Sequence, residues 1–188
     1  MRPNKRDELV RKALDVFYRH GFHATGMDML VVETGVSKTS MYKHFKTKDD
    51  LILAVLKLRD ERFREWLYAR IEELSNTPSG QMIAVFDALG EWFDTPDFRG
   101  CMFIKASSEF QETDNPIYQQ SSEHKRLLLE HLIGLARRAD LANPEQLARQ
   151  LIILKEGAII MAAMGFGDTP AQDAKAAAEV LFASSLQD

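Results

Sequence analysis

Helix-starting and helix-stopping residues recur along the whole of this 188-residue chain, and no stretch alternates apolar and polar residues with period two. Asn115-Pro116, Asn143-Pro144 and Thr169-Pro170 each place a capping side chain before a proline, whose fixed φ suits the first helical position. Asn4 with Asp7, Thr25 with Asp28 and Thr47 with Asp50 repeat the spacing of a cap and its N3 partner, and Ser37 supplies a further cap. Gly21 and Gly35 provide left-handed stops, while "NTPSG" at 76–80 and "DTPDFRG" at 94–100 break the chain. Between the first cap and the first stop, Leu9, Val10, Ala13, Leu14, Phe17 and Tyr18 repeat at helical spacing. The pattern predicts an all-α protein of nine helices without a sheet. The fourth helix opens at Thr47 and continues to about Leu74, about 40 Å at 1.5 Å per residue.

Composition narrows the function. With 45% hydrophobic and 28% charged residues the chain should fold and be soluble. No apolar run approaches the roughly 18 residues of a membrane span, and the N-terminus lacks an apolar signal core, so a cytoplasmic protein without membrane contact is expected. Cys101 is the only cysteine. It excludes an intrachain disulfide and argues against a cysteine-based zinc site, and His20 and His23 alone are too few for a metal. No cofactor is expected. Charge is uneven: residues 1–50 carry a net +3 and the remainder −7, so the N-terminal quarter is the part suited to a polyanion.

The stretch "GVSKTSMYKHFKTKDDL" at 35–51 gives that charge a geometry. Helices two and three are short and joined by Gly35-Val36-Ser37. Gly35 permits the sharp turn, Val36 plugs the angle, and Ser37 starts the second helix, as in a helix-turn-helix whose second helix enters the major groove. Lys38 can reach guanine O6 and N7, and Thr39 and Ser40 can bond a base edge or a phosphate. Met41 and Phe45 would hold the helix to the core, leaving Tyr42, Lys43 and His44 to flank the groove. Helix starts at Thr25 and at Thr47-Lys48 would offer amides to phosphates. Arg2, Lys5 and Arg6 could form a minor-groove arm.

Residues 9–51, "LVRKALDVFYRHGFHATGMDMLVVETGVSKTSMYKHFKTKDDL", resemble the TetR-type bacterial transcriptional regulators. The run of helix, Gly-aromatic, Thr, short helix, Gly-Val-Ser, Tyr-x-x-Phe and Lys-acid-acid-Leu follows the family almost element for element. The resemblance implies a three-helix DNA-binding head over 1–47 and an effector-binding, dimerising domain over 48–188. It also implies a palindromic double-stranded operator, a small-molecule effector and a homodimer. Thr25, Lys38, Thr39, Ser40, Tyr42, His44 and Lys48 fall where the family contacts DNA. Thr39 departs from the glycine common there, which bears on base preference.

In the acidic body, Leu147, Leu151, Leu154, Ala158 and Met161 on helix eight, with Ala174, Ala178 and Leu181 on helix nine, are candidates for a four-helix dimer interface. Because helix eight is apolar on nearly every side, burial within one subunit competes with that assignment. Phe63, Trp66, Phe86, Phe103, Phe110, His131 and Lys155 are candidates for an effector pocket, each with an ordinary core role as its rival. Lys155 and Glu156, about 100° apart, cannot both avoid the interior, so at least one needs a partner or a ligand. Cys101, in "FRGCMF", is either a small buried residue or an electrophile or redox sensor with its thiol activated by Arg99. Regulation is expected to be repression relieved by effector. An enzyme is the rival class, but no HExxH, phosphate loop or nucleophile elbow supports it.

Overall fold

The computed structural model describes residues 4–186, and among these the chain forms nine helices and no strand. They are α1 (Lys5–His20), α2 (Met27–Thr34), α3 (Lys38–His44), α4 (Lys48–Leu74), α5 (Pro78–Phe93), α6 (Met102–Glu109), α7 (Pro116–Arg138), α8 (Pro144–Ala163) and α9 (Pro170–Ala183). The caps explain several boundaries. Asn4 accepts from the Arg6 amide, Ser37 from Ser40 and Thr77 from Gly80. Thr47 and Asp50 close a reciprocal box at the start of α4, the two bonds measuring 2.9 and 3.0 Å. Gly35 ends α2 at φ 68°, a left-handed turn that glycine adopts without a Cβ penalty. Three starts differ from the sequence pattern: α2 is capped by Gly26 rather than Thr25, and Asn143 and Thr169 precede their prolines without a side-chain cap bond.

The helices group into two compact units, with α4 and α7 each contributing to both. The first joins residues up to Phe63 with Met102–His124. Its core is built from Leu9, Ala13, Phe17, Phe22, Leu30 and Ile52, all without solvent exposure. Compactness thus places α6 and the start of α7 with the N-terminal helices, a grouping different from the functional boundary expected at 47/48.

The irregular turn between α1 and α2 is held by side chains distant in sequence. The Glu109 carboxylate accepts from the amides of Phe22, at 3.0 and 3.1 Å, and His23, at 2.5 Å. Lys48 Nζ donates to the carbonyls of Phe22 and Thr25, and Lys105 Nζ to that of Tyr18 near the end of α1. Backbone groups that helices would satisfy internally are satisfied here by three ionic side chains. Deeper in the same unit, His124 is buried with Nδ1 2.7 Å from Asp60 Oδ1 and its ring 3.7 Å from that of Phe103.

The second unit joins Arg64–Cys101 with Lys125 and the residues after it. Here α9 packs on α5 and α8. Leu147, Leu151, Lys155 and Ala158 turn inward from α8, and Ala171, Ala174 and Ala178 from α9. No described helix is long and apolar enough to cross a membrane.

Candidate functional site

Helix α3 is anchored from behind and open in front. Met41 and Phe45 are buried, as the spacing of four predicts, whereas Lys38, Thr39, Tyr42, Lys43 and His44 are exposed and Ser40 is half-exposed. Tyr42 is an aromatic side chain left 49% exposed. Lys38 Nζ lies 3.3 Å from Asp28 Oδ1, with both side chains solvated. Such an exposed pair contributes little to stability, so exchanging it for a phosphate or base edge costs little. Val36, between α2 and α3, is partly enclosed, and its amide donates to Thr34 Oγ1 at 3.2 Å.

Two expected DNA-contacting residues have other work. Thr25 precedes the first residue of α2 by two positions and is fully buried, its hydroxyl donating to the Gly21 carbonyl at 2.6 Å. The enclosed hydroxyl fixes the turn that aims α2. Lys48 is half-buried and its ammonium is committed to the same turn. Lys5 and Arg6 open α1, and the Arg6 guanidinium sits 4.9 Å over the Phe45 ring. Arg2, the remaining member of the suggested arm, lies outside the described residues.

The seven candidate effector contacts separate. Phe63 and Phe103 flank His124 in the first unit, and Phe110 packs edge-on to Phe22. In the second unit Trp66 faces Trp92, and Phe86 is buried beside a shallow surface depression. His131 and Lys155 share a cavity, a nook of about 10 Å³. Leu67, Tyr68 and Ile71 from α4 and Leu128 and Leu132 from α7 complete most of its wall. The Tyr68 ring stacks on His131 at 3.7 Å and 11°.

Beside this nook lies an ionic cluster. Glu156 accepts from Lys155 at 2.8 Å and from Lys125 at 2.6 Å, and Lys125 also donates to Cys101 Sγ at 3.3 Å. Burial alone would push the Glu156 carboxyl up, but the ammonium groups of Lys155 and Lys125 outweigh it and hold the pKa down to about 2. Burial lowers Lys155, whereas for Lys125 the negative groups it faces more than offset burial and raise it. Both members of the Lys155-Glu156 pair therefore do point inward, with Lys125 as the third partner. Cys101 is nearly buried. The cation next to it is Lys125; the Arg99 guanidinium donates instead to the carbonyls of Pro96 and Phe98.

Most of the expected dimer residues face inward in the single chain. Leu147, Leu151, Ala158, Ala174 and Ala178 are buried within the chain itself, and Leu154 and Leu181 are half-buried. On α8 the outward stripe is Ile153, Gly157, Ile160 and Met164, with Met161 at its edge; on α9 it includes Ala177 and Val180. Periodicity could not choose between two apolar stripes on one helix. The residues that sequence reasoning missed are Glu109, Lys105, Lys125 and Asp60, whose partners lie tens of residues away in the chain and leave no local signal.

Among the described residues these features define an all-helical protein with a helix-turn-helix whose second helix faces outward. Residues 9–55 match the family model described as bacterial regulatory proteins, tetR family. A TetR-family transcriptional regulator from Streptomyces coelicolor, SCO4454, superposes with a TM-score of 0.88 at 27% identity, covering 97% of this chain and 96% of that one. Two Mycolicibacterium smegmatis proteins are similar over the N-terminal region. The transcriptional activator FasR is 46% identical over 55 residues, 29% of this chain and 25% of that protein. The transcriptional repressor KstR2 is 31% identical over 93 residues, 46% of this chain and 43% of that protein. Residues 9–55 thus match the tetR-family regulatory proteins, and over nearly its whole length the chain has the fold of a TetR-family transcriptional regulator.

Proposed function

We propose that the protein is a homodimeric repressor that holds a palindromic operator and is released by a small-molecule effector, with residues 1–47 reading DNA and 48–188 binding effector and partner. The observation that carries the reading is α3, whose buried Met41 and Phe45 leave Lys38, Thr39, Ser40, Tyr42 and Lys43 facing outward. In a dimer, two such helices about 34–36 Å apart would meet successive major grooves. The outward apolar stripe of α8 with Val180 of α9 is the surface for the second copy, since Ile153, Met164 and Val180 are each at least 70% exposed in the single chain. An effector that weakens DNA binding a hundredfold must favour the released state by about 2.7 kcal/mol, and DNA then weakens effector binding equally. Because α4 carries both Lys48 and the Leu67–Ile71 wall of the nook, it is the element through which such coupling would pass.

Selection of bound sites from random duplexes, repeated with Lys38→Ala and Tyr42→Ala, tests the reading. One palindromic footprint, lost in both variants while helicity persists, is expected. Salt-sensitive binding without sequence preference would refute specific readout, and a reporter decides repression against activation. A second reading, electrophile sensing at Cys101, is favoured by the Lys125 ammonium 3.3 Å from Sγ. Unchanged operator affinity after N-ethylmaleimide modification of Cys101 removes it.

A further inference from the structure

The nook in the second unit contains an unmet hydrogen-bonding demand. His131 Nε2 is buried without any hydrogen-bond partner, the one such side-chain atom found among the described residues. Leaving a buried polar atom unpaired is costly, and proteins tolerate it chiefly where water, an ion or a ligand completes the site. Water fits poorly. A buried water needs two to four polar partners, whereas the wall of this nook is made mostly of Leu67, Ile71, Val85, Leu128, Leu132 and Ile152. The cationic group in the wall, Lys155, directs its ammonium to Glu156 Oε1 at 2.8 Å.

What would complete His131 follows from its surroundings. Burial, helped by the nearby Arg138 charge, lowers the imidazole pKa below its usual 6.5, so the ring is neutral at pH 7. A neutral ring has one N–H and one lone pair, and Nε2 carries one or the other. A hydroxyl satisfies either tautomer, because it both donates and accepts. A carbonyl or an ammonium satisfies only one. The face of the imidazole is covered by the half-exposed Tyr68 ring, nearly parallel at 3.7 Å. A flat aromatic ligand can take the place of that ring and keep the stacking, at the cost of the bond from the Tyr68 hydroxyl to the Leu127 carbonyl at 3.4 Å.

We propose that this nook is the closed form of a ligand site for compact, uncharged, hydroxyl-bearing aromatic molecules. The hydroxyl bonds His131 Nε2, and the ring lies among Leu67, Ile71, Leu128 and Leu132 where Tyr68 now stacks. The inference rests on the reading of residues 48–188 as the ligand-responsive part, and it names the chemistry that part would sense.

Titration calorimetry of the full-length protein at pH 7.5 with phenol, toluene and benzoate tests it, with affinity for a selected duplex measured on the same preparation. Phenol should bind at least tenfold more tightly than toluene, equivalent to about 1.4 kcal/mol. His131→Leu should bring phenol down to the affinity of toluene. Nitrogen NMR of wild-type protein should show the His131 Nε2 resonance move with phenol and not with toluene, which decides the matter if the variant does not fold. Phenol no tighter than toluene, an unchanged preference in His131→Leu, or no binding by any probe would overturn the proposal. So would benzoate tighter than phenol, which would assign the site to an anion addressed by Lys155. Duplex binding without phenol binding removes this inference alone; phenol binding by a protein that ignores every duplex removes the proposed function and leaves the ligand site standing.

Discussion

Glu156→Gln is the most informative perturbation of the second unit, because one carboxylate there faces two ammonium groups at 2.8 and 2.6 Å. Its pKa of about 2 in the folded chain compares with 4.5 for an unperturbed glutamate. Between these values the unfolded chain binds more protons than the folded one, so stability falls as pH falls. The contribution is fully present above about 4.5 and is lost once the pH has fallen through about 2. The difference corresponds to about 3 kcal/mol at about 1.36 kcal/mol per pH unit. Glutamine keeps the volume and one acceptor but leaves Lys155, which is 2% exposed, without its counter-charge. Removing one member of a buried ionic group costs about 3–5 kcal/mol, because the remaining charge is stranded. Urea unfolding at fixed protomer concentration, which matters if the protein dimerises, should show a loss of about 3 kcal/mol at pH 7. The gap from wild type should narrow progressively as the pH is lowered below 4.5. A variant within 0.5 kcal/mol of wild type at pH 7, or a gap that stays constant down to pH 3, would refute the assignment of Glu156 as the charge that makes this interior habitable.

Two further outcomes are expected. Glu109→Ala should cost about 2 kcal/mol, chiefly by leaving the Phe22 amide unpaired beside a fully buried side chain; thermal unfolding should drop by about 4–8 °C, and duplex affinity should fall because the turn aiming α2 and α3 is loosened. Ile153→Glu, on the outward stripe of α8, should abolish dimers in sedimentation while changing subunit stability by no more than about 0.5 kcal/mol; the inward Leu151→Ala should instead cost about 2–5 kcal/mol, and the opposite pattern would mean that the partner-facing stripe has been misassigned.

Local chemistry determined the parts of this protein that local sequence can encode. Asn4, Ser37, Thr47 with Asp50, and Thr77 are read by amides two or three residues away, so most helix boundaries and the 27-residue α4 are legible in the sequence alone. The outward face of α3 is legible for the same reason: Gly35 sets the turn, and the four-residue spacing of Met41 and Phe45 fixes which side of α3 faces out. Tertiary packing decided the rest. It enclosed Thr25 and drew Lys48 onto backbone carbonyls, because the α1–α2 turn needs partners that no neighbour in sequence provides. It chose Leu147, Leu151 and Ala158 over Ile153, Ile160 and Met164 as the inner stripe of α8, a choice periodicity cannot make when a helix is apolar all round. It also brought His131 under Tyr68 and joined Cys101, Lys125, Lys155 and Glu156. Hydrophobic spacing records which residues leave water; which of them meet depends on chain closure over tens of residues, and only the folded chain settles that.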